Sequence, residues 1–134
     1  MKRTLYRLRM SRQIVGILEK TKNGLRYKSR KFLWWMRGMP RYDEIDEGIG
    51  YKDRNGRDIF ELDILNVKDV VDNKIKKGVV LWNANKFGIL FIDSKEFFPF
   101  FLAGIRFFKS EDITITGQLY NNIELIDDLG LDNL

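Results

Sequence analysis

The sequence contains neither cysteine nor histidine. The absence of cysteine excludes disulfide and thiolate chemistry and makes a reducing compartment the simpler location for the protein. The absence of histidine removes the commonest general base and the commonest metal ligand together. We therefore expect a protein that is not an enzyme and that needs neither a metal ion nor another cofactor.

Long apolar runs are also missing. The densest apolar stretch, FFPFFLAGIRFF at residues 97–108, is interrupted by Pro99 and Arg106. It is shorter than the roughly 18 apolar residues that a membrane-spanning helix needs. No apolar leader with a small-residue cleavage site is recognisable at the start of the sequence. These features predict a soluble, cytoplasmic protein of about one domain that does not contact a membrane.

Acidic residues are nearly absent from the first part of the chain. Residues 1–42 contain 13 Lys or Arg and one acid, Glu19, for a net charge of +12. Residues 43–134 contain 11 Lys or Arg and 18 acids, for a net charge of −7. Such asymmetry often marks a basic segment with a partner of its own. The alternative is that the two parts neutralise each other, within one fold or between subunits.

Most of the chain alternates apolar and polar residues with a period of two, which predicts β-strands. In TLYRLRM at residues 4–10, Arg7 and Arg9 share one face. The stretches QIVGILEK and LRYKSRKF flank an Asn-Gly pair, which is typical of a tight hairpin turn. Further on, GVVLWN and GILFID predict a second hairpin, and DITITGQLY predicts a regular strand.

These patterns divide the chain into three parts. Residues 1–42 are predicted to be a basic, β-rich unit. Residues 43–50 begin with four acids in five positions and predict an acidic loop or hinge. Residues 51–134 contain short strands separated by tight turns, which favour a small β-barrel or a strongly bent sheet with an acidic tail.

The segment GYKDRNGRDIFELDILNV at residues 50–67 contains several carboxylates beside a turn sequence. Carboxylates in pairs can transfer protons or hold a magnesium ion. The simpler interpretation is structural, because Asp53 suits the first position of a type I turn and Gly56 suits the left-handed position after it. Asp63 is then expected to bond backbone amides where the next strand begins.

Two segments resemble the motifs of YopX-like proteins, which bacteriophages and prophages of Gram-positive bacteria encode. In residues 50–67 the matching positions are Gly50, Lys52, Asp53, Asn55, Gly56, Asp58, Ile59, Glu61, Asp63 and Ile64. In TGQLYNNIEL at residues 116–125 they are Gly117, Tyr120, Asn122, Glu124 and Leu125. The resemblance implies a β-rich N-terminal part joined to a small SH3-like barrel, in a protein of the bacterial host cell without an established enzymatic activity.

One position departs from the motif. The family has glycine where this chain has Leu62. Glycine would permit a bulge or a positive φ at the strand entry, and leucine makes that geometry costly. We therefore expect a regular strand or a slightly different turn at Leu62.

The basic strands are candidates for contact with nucleic acid. Phosphates attract clustered Lys and Arg, and unpaired bases stack on flat aromatic rings. The candidate residues are Arg7, Arg9, Arg12, Arg26, Lys28, Arg30, Lys31, Trp34 and Trp35. The alternative is a solvated face with both Trp side chains in the core.

The Phe-rich segment is a candidate interface, because its rings cannot all face inward in a small barrel and exposed aromatic patches mark interaction surfaces. Pro99 should make it an edge or loop element. The candidate interface residues are Phe97, Phe98, Phe100, Phe101, Phe107 and Phe108.

The resemblance implies a phage or prophage accessory protein, and the surface features of the sequence predict that it acts by binding. The first hypothesis is nucleic-acid binding through the basic N-terminal region. The alternative is a self-associating interaction module that binds a host or phage protein through the Phe-rich segment.

Overall fold

The computed structural model describes residues 4–29, 44–69 and 71–129, without the side chains of residues 26–29 and of residue 123. The chain divides into two compact units, residues 1–50 (unit 1) and residues 51–134 (unit 2). The fold is mainly β, as the sequence predicts, with one short α-helix among the described residues. No described helix has the length and apolarity that would let it cross a membrane.

Unit 1 is built from antiparallel strands around a central strand, β1. Its elements are β1 (Thr4–Met10), β2 (Gln13–Thr21), β3 (Gly24–Ser29) and the first residues of β4 (Glu44–Lys52). Within unit 1 the strand order is β3-β2-β1-β4. The next strand along the chain, β5 (Asp58–Phe60), belongs to unit 2. The predicted first hairpin is confirmed, because Thr21 of β2 lies opposite Gly24 of β3, whose φ of +130° suits glycine.

The prediction of an acidic hinge at residues 43–50 was wrong for the described part of that segment. Residues 44–52 form strand β4, which pairs with β1 so that Asp46 lies opposite Arg7 and Glu44 lies opposite Arg9. The run of carboxylates resembled a solvated loop, but it stands directly across from the basic strand. The structure instead shows ion pairs between Asp46 and the two arginines of β1, Arg7 and Arg9.

Unit 2 contains a second antiparallel sheet of five strands in the order β12-β6-β7-β8-β9. The remaining strands β10 and β11 form a separate hairpin. The elements are β6 (Asp63–Lys68), β7 (Ile75–Asn83), β8 (Lys86–Phe91), β9 (Phe97–Pro99), β10 (Phe101–Leu102), β11 (Ile105–Arg106), β12 (Ile113–Gln118) and α1 (Ile123–Asp128). The predicted second hairpin is β7–β8. Since β12 and β9 stand at opposite ends of this sheet, an SH3-like barrel stays a prediction.

The core of unit 2 includes a cluster of buried apolar side chains on one side of its sheet. Ile64, Val79 and Leu119 are almost completely buried there. Leu62, Leu81, Leu125, Ile126 and Leu129 pack against them, so the C-terminal helix α1 covers this side. Burial of such apolar side chains contributes about 1.5–3 kcal/mol each.

The turn between β4 and β5 has the predicted chemistry. Gly56 has a φ of +77°, and its N–H donates to the carbonyl of Asp53 at 3.0 Å. The Asp53 carboxylate accepts from the N–H groups of Asn55 and Arg57 at 2.9 and 3.0 Å. At the next turn, Asp63 accepts from the N–H of Phe60 at 2.8 Å. This segment is a turn stabilised by carboxylates, as its sequence indicates.

The expectation at Leu62 was wrong. Leu62 has a φ of +75°, the left-handed conformation that favours glycine. Its N–H donates to the carbonyl of Val80 and its carbonyl accepts from the N–H of Leu119, both at 2.8 Å. These bonds and the packing of its side chain hold Leu62 in a conformation that costs about 1–2 kcal/mol for a residue with a Cβ.

Candidate protein-binding surface

The Phe-rich segment lies at the end of the unit 2 sheet. Strand β9 pairs with β8, and Pro99 lies opposite Gly88, which confirms that the proline belongs to an end strand of the described sheet. The chain then turns back on itself in the β10–β11 hairpin, which we call the apolar hairpin (residues 101–106). Its tight turn is formed by Ala103 and Gly104, with φ values of +52° and +78°.

Some of the Phe rings are buried and others are exposed, as the composition of this segment predicts. Phe100 is only 2% exposed, whereas Phe98, Phe101 and Phe107 are 39–44% exposed. Phe97 and Phe108 are half-buried. The exposed rings are therefore attached to a segment that a buried ring anchors.

Tyr51 and the backbone fix the buried side of this segment. The Phe100 ring lies 5.1 Å from the Tyr51 ring and 5.7 Å from the Phe108 ring. The Tyr51 hydroxyl donates to the carbonyl of Phe108. Burial raises the pKa of Tyr51, and the guanidinium of Arg106, 5.0 Å from the ring centre, opposes that rise only in part. Tyr51 therefore stays a neutral donor in neutral solution.

Gly88 permits one of the rings to lie close to the sheet. A Cβ at this position would stand 2.4 Å from Cζ of Phe97 and 2.5 Å from the carbonyl oxygen of Phe98. Both distances are shorter than a real contact, so only glycine allows β9 to approach β8 this closely. The platform beneath the exposed rings is thus closely packed.

Beside the apolar hairpin lies a groove of about 720 Å³, which we call the aromatic groove. Its apolar walls include Phe91, Phe98, Phe107 and Phe108. The Phe91 ring meets the rings of Phe98 and Phe108 at centroid distances of 5.9 and 6.1 Å. Such a volume lies within the range of ligand-binding pockets, and the edge-to-face and tilted contacts between the rings give it a stable shape.

Charged side chains of both signs surround the aromatic groove. Nζ of Lys76 lies 2.6 Å from Oδ2 of Asp69 and 3.4 Å from Oδ2 of Asp72. The hydrogen bond with Asp69 raises the pKa of Lys76, and the same bond lowers the pKa of Asp69. The other charged lining residues are Lys68, Lys77, Asp93, Glu96, Arg106, Lys109 and Asp112. Sequence reasoning missed these residues because only strand pairing brings β6, β7 and the segment after β11 together.

In unit 1, Arg7 and Arg9 are 3% and 7% exposed. Asp46, itself 3% exposed, accepts from Nε of each arginine at 2.8 Å. Its other oxygen accepts from Nη2 of Arg9 at 2.9 Å. Arg9 also donates to the carbonyl of Ser11 at 2.9 Å. This placement argues against direct phosphate contact by Arg7 and Arg9, because their guanidinium groups face carboxylate and carbonyl oxygens inside the unit.

The other candidates for nucleic-acid contact are only partly described. Arg12 is exposed in the turn between β1 and β2. Arg26 and Lys28 lie on β3, opposite Glu19 and Ile17 in the strand register. The predictions for Arg30, Lys31, Trp34 and Trp35 fall outside the described residues.

The carboxylates of the turn motif have structural partners. Oδ2 of Asp53 accepts from the N–H of Ile115 at 3.1 Å, which connects the turn to β12. Burial alone would raise the pKa of Asp53, but the N–H donors of Arg57, Ile115 and Asn55, with the Arg57 charge, lower it below its ordinary value of 3.8. Gly117 lies on β12 and the half-buried Tyr120 in the 3₁₀ turn after it. Within the described part of the chain, no cluster of acidic side chains has the arrangement of a metal site.

Comparison with known proteins places this chain in a family. The family model described as "YopX protein" matches residues 12–127, so the match covers most of both units. The chain therefore belongs to the YopX family. No curated protein matches it significantly.

Proposed function

We propose that this protein is a phage- or prophage-encoded accessory protein that acts by binding another polypeptide in the cytoplasm of its bacterial host. The binding surface consists of the aromatic groove and the apolar hairpin. The observation that carries the proposal is the exposure of Phe98, Phe101 and Phe107, each about two-fifths accessible, on a firmly packed platform. Exposed apolar patches bordered by polar groups mark interaction sites.

The chemistry of this surface favours a polypeptide as its ligand. Aromatic rings are enriched at the centres of protein interfaces, where they give large buried area at little cost in side-chain entropy. Phe100 and Tyr51 already hold the segment in place, so little ordering is needed when a partner binds. Charged groups around the groove would then form the polar rim of the interface.

Nucleic-acid binding through unit 1 is the second candidate. The observation in its favour is the net charge of +12 on residues 1–42. Among the described basic residues of this range, Arg12, Lys20 and Lys22 have exposed side chains. Against it, the two central arginines of β1 are bonded to Asp46. Affinity that falls steeply with salt concentration would support this candidate.

Selection from a displayed library of random peptides tests the leading proposal. The wild-type protein should select peptides rich in apolar residues, and Phe107→Glu should lose them, because it places a charge in the aromatic groove. Leu25→Glu is the matched control, since Leu25 is 52% exposed in unit 1. If no peptide is enriched, or if Phe107→Glu retains every selected peptide, the proposed surface is wrong.

A further inference from the structure

We propose that the aromatic groove takes the apolar hairpin of a second copy of this chain, and that the two copies exchange hairpins reciprocally. This inference rests on the proposed function and names its partner. It joins two neighbouring features of unit 2, a projecting apolar turn and a groove that can receive it.

The apolar hairpin has the form of an inserting element. Phe101, Leu102 and Ile105 are 44%, 43% and 62% exposed, although all three are apolar. The tight turn at Ala103 and Gly104 joins two strands of two residues each. A Cβ on Gly104 would meet no atom within 4 Å, so the tip of the hairpin stands in open space.

The charges around the aromatic groove favour a second copy of this chain over a partner whose charges all have the same sign. Apart from Lys76, which pairs with Asp69 and Asp72, and Asp69 itself, the charged lining residues form no ion pair within the described part of the chain. They comprise four cations and three anions: Lys68, Lys77, Arg106 and Lys109, with Asp93, Glu96 and Asp112. A polyanion would meet three carboxylates here. A surface of mixed sign is complementary to itself, because each cation can face a carboxylate of the other copy.

The position of Arg106 makes the exchange reciprocal. Arg106 belongs to β11 of the hairpin and also lines the groove, so the inserting element and its receptor share an edge. A two-fold axis near that edge places each hairpin against the other copy's groove. This is an isologous interface, in which residue i contacts residue j and residue j contacts residue i.

Cross-linking between single cysteines tests the arrangement, because the natural chain has no cysteine. Leu102→Cys labels the tip of the hairpin, and Glu96→Cys labels an exposed residue of the groove. When Leu102→Cys and Glu96→Cys are mixed with a short bismaleimide, we expect the mixed cross-linked dimer to form quickly. It should form much more slowly when Leu102→Cys is mixed with Asp128→Cys. Asp128 is exposed on α1 and is the control for random collision. Equal yields for the two mixtures would overturn the exchange.

Sedimentation equilibrium measures the strength of the association. Leu102→Glu should weaken dimer formation by about tenfold or more, since it places a charge in an apolar groove. Leu25→Glu should leave dimer formation unchanged. A wild-type protein that stays monomeric, or a dimer that Leu102→Glu does not weaken, would overturn the inference. If the groove still selects peptides, the proposed function survives that result, and if it selects none, both fail.

Discussion

Strand β1 of unit 1 and the apolar hairpin of unit 2 reverse the usual relation between polarity and burial. On β1, Arg7 and Arg9 are nearly inaccessible and bonded to Asp46. On the hairpin, Phe101 and Ile105 are 44% and 62% exposed. The charged side chains thus stabilise a fold, and the apolar ones are available to a partner.

The difference comes from what lies opposite each element. Strand β1 is central, and β4 brings a carboxylate to the same face as its arginines. The hairpin pairs only within itself among the described strands, so no neighbouring strand covers it. Burial is decided by position in the sheet, and a buried charge is tolerated only with a partner.

The largest effect is expected at Asp46. Asp46→Ala should lower the free energy of unfolding of unit 1 by about 3–5 kcal/mol, because it removes a buried carboxylate that accepts from two buried guanidinium groups. Urea unfolding followed by circular dichroism measures the loss. Glu44→Ala, at an exposed site on the same strand, should change the free energy of unfolding by less than about 0.5 kcal/mol. Equal effects of the two substitutions would show that the buried ion pairs of Asp46 do not stabilise unit 1.

A smaller loss is expected at Asp53, a buried carboxylate of unit 2, because its main partners are backbone N–H groups. Asp53→Asn should cost about 2 kcal/mol at neutral pH, which is typical of hydrogen bonds to a charged group. Because folding lowers the pKa of Asp53, its contribution is complete above the ordinary pKa of 3.8 and is lost as the pH falls through the folded value.

Urea unfolding at several pH values checks the Asp53 prediction. The difference in stability between the wild type and Asp53→Asn should shrink as the pH drops below 3.8. Asp58→Asn is the control, because Asp58 is only half-buried and pairs with Lys52 at 3.3 Å. If the difference in stability between the wild type and Asp53→Asn stays constant down to the lowest pH, the folded protein does not hold the Asp53 carboxylate in its charged form.

The smallest effect concerns backbone strain at Leu62. Leu62→Gly and Leu62→Ala both lose the packing of the side chain, but only alanine keeps the cost of a positive φ. The glycine variant should therefore be about 1 kcal/mol more stable than the alanine variant. Leu81, which packs against the same cluster from the regular strand β7, is the control, and there alanine should be the more stable. If the alanine variant is more stable than the glycine variant at both Leu62 and Leu81, the backbone of Leu62 is not strained.

The conformations and hydrogen bonds of the local turns could be predicted from the sequence. The Asn23-Gly24 hairpin, the left-handed Gly56 and the amide-binding Asp53 and Asp63 depend on neighbours within a few residues. Leu62 was misjudged because distant bonds to Val80 and Leu119 hold it in place. The acidic segment was misjudged for the same reason, since Asp46 meets arginines 37 and 39 residues away.

The candidate site could be predicted only in part. Six Phe in twelve residues indicate that some rings stay exposed, which the accessibility of Phe98, Phe101 and Phe107 confirms. The aromatic groove could not be predicted, because its lining comes from β6, β7, β8 and the segment after β11. A period of two shows that Arg7 and Arg9 share a face, but it cannot show whether that face is covered.

Hydroxyl-radical footprinting at increasing protein concentration tests most directly whether the aromatic surface of unit 2 meets the partner. Phe101, Leu102 and Phe107 should be oxidised in dilute protein and become protected as the protein is concentrated. Buried Phe100 should stay unreactive throughout, and exposed Leu25 of unit 1 should stay reactive. Protection that appears at Leu25 while Phe101 and Phe107 remain fully reactive would show that the binding surface lies on unit 1 and not on the aromatic surface of unit 2.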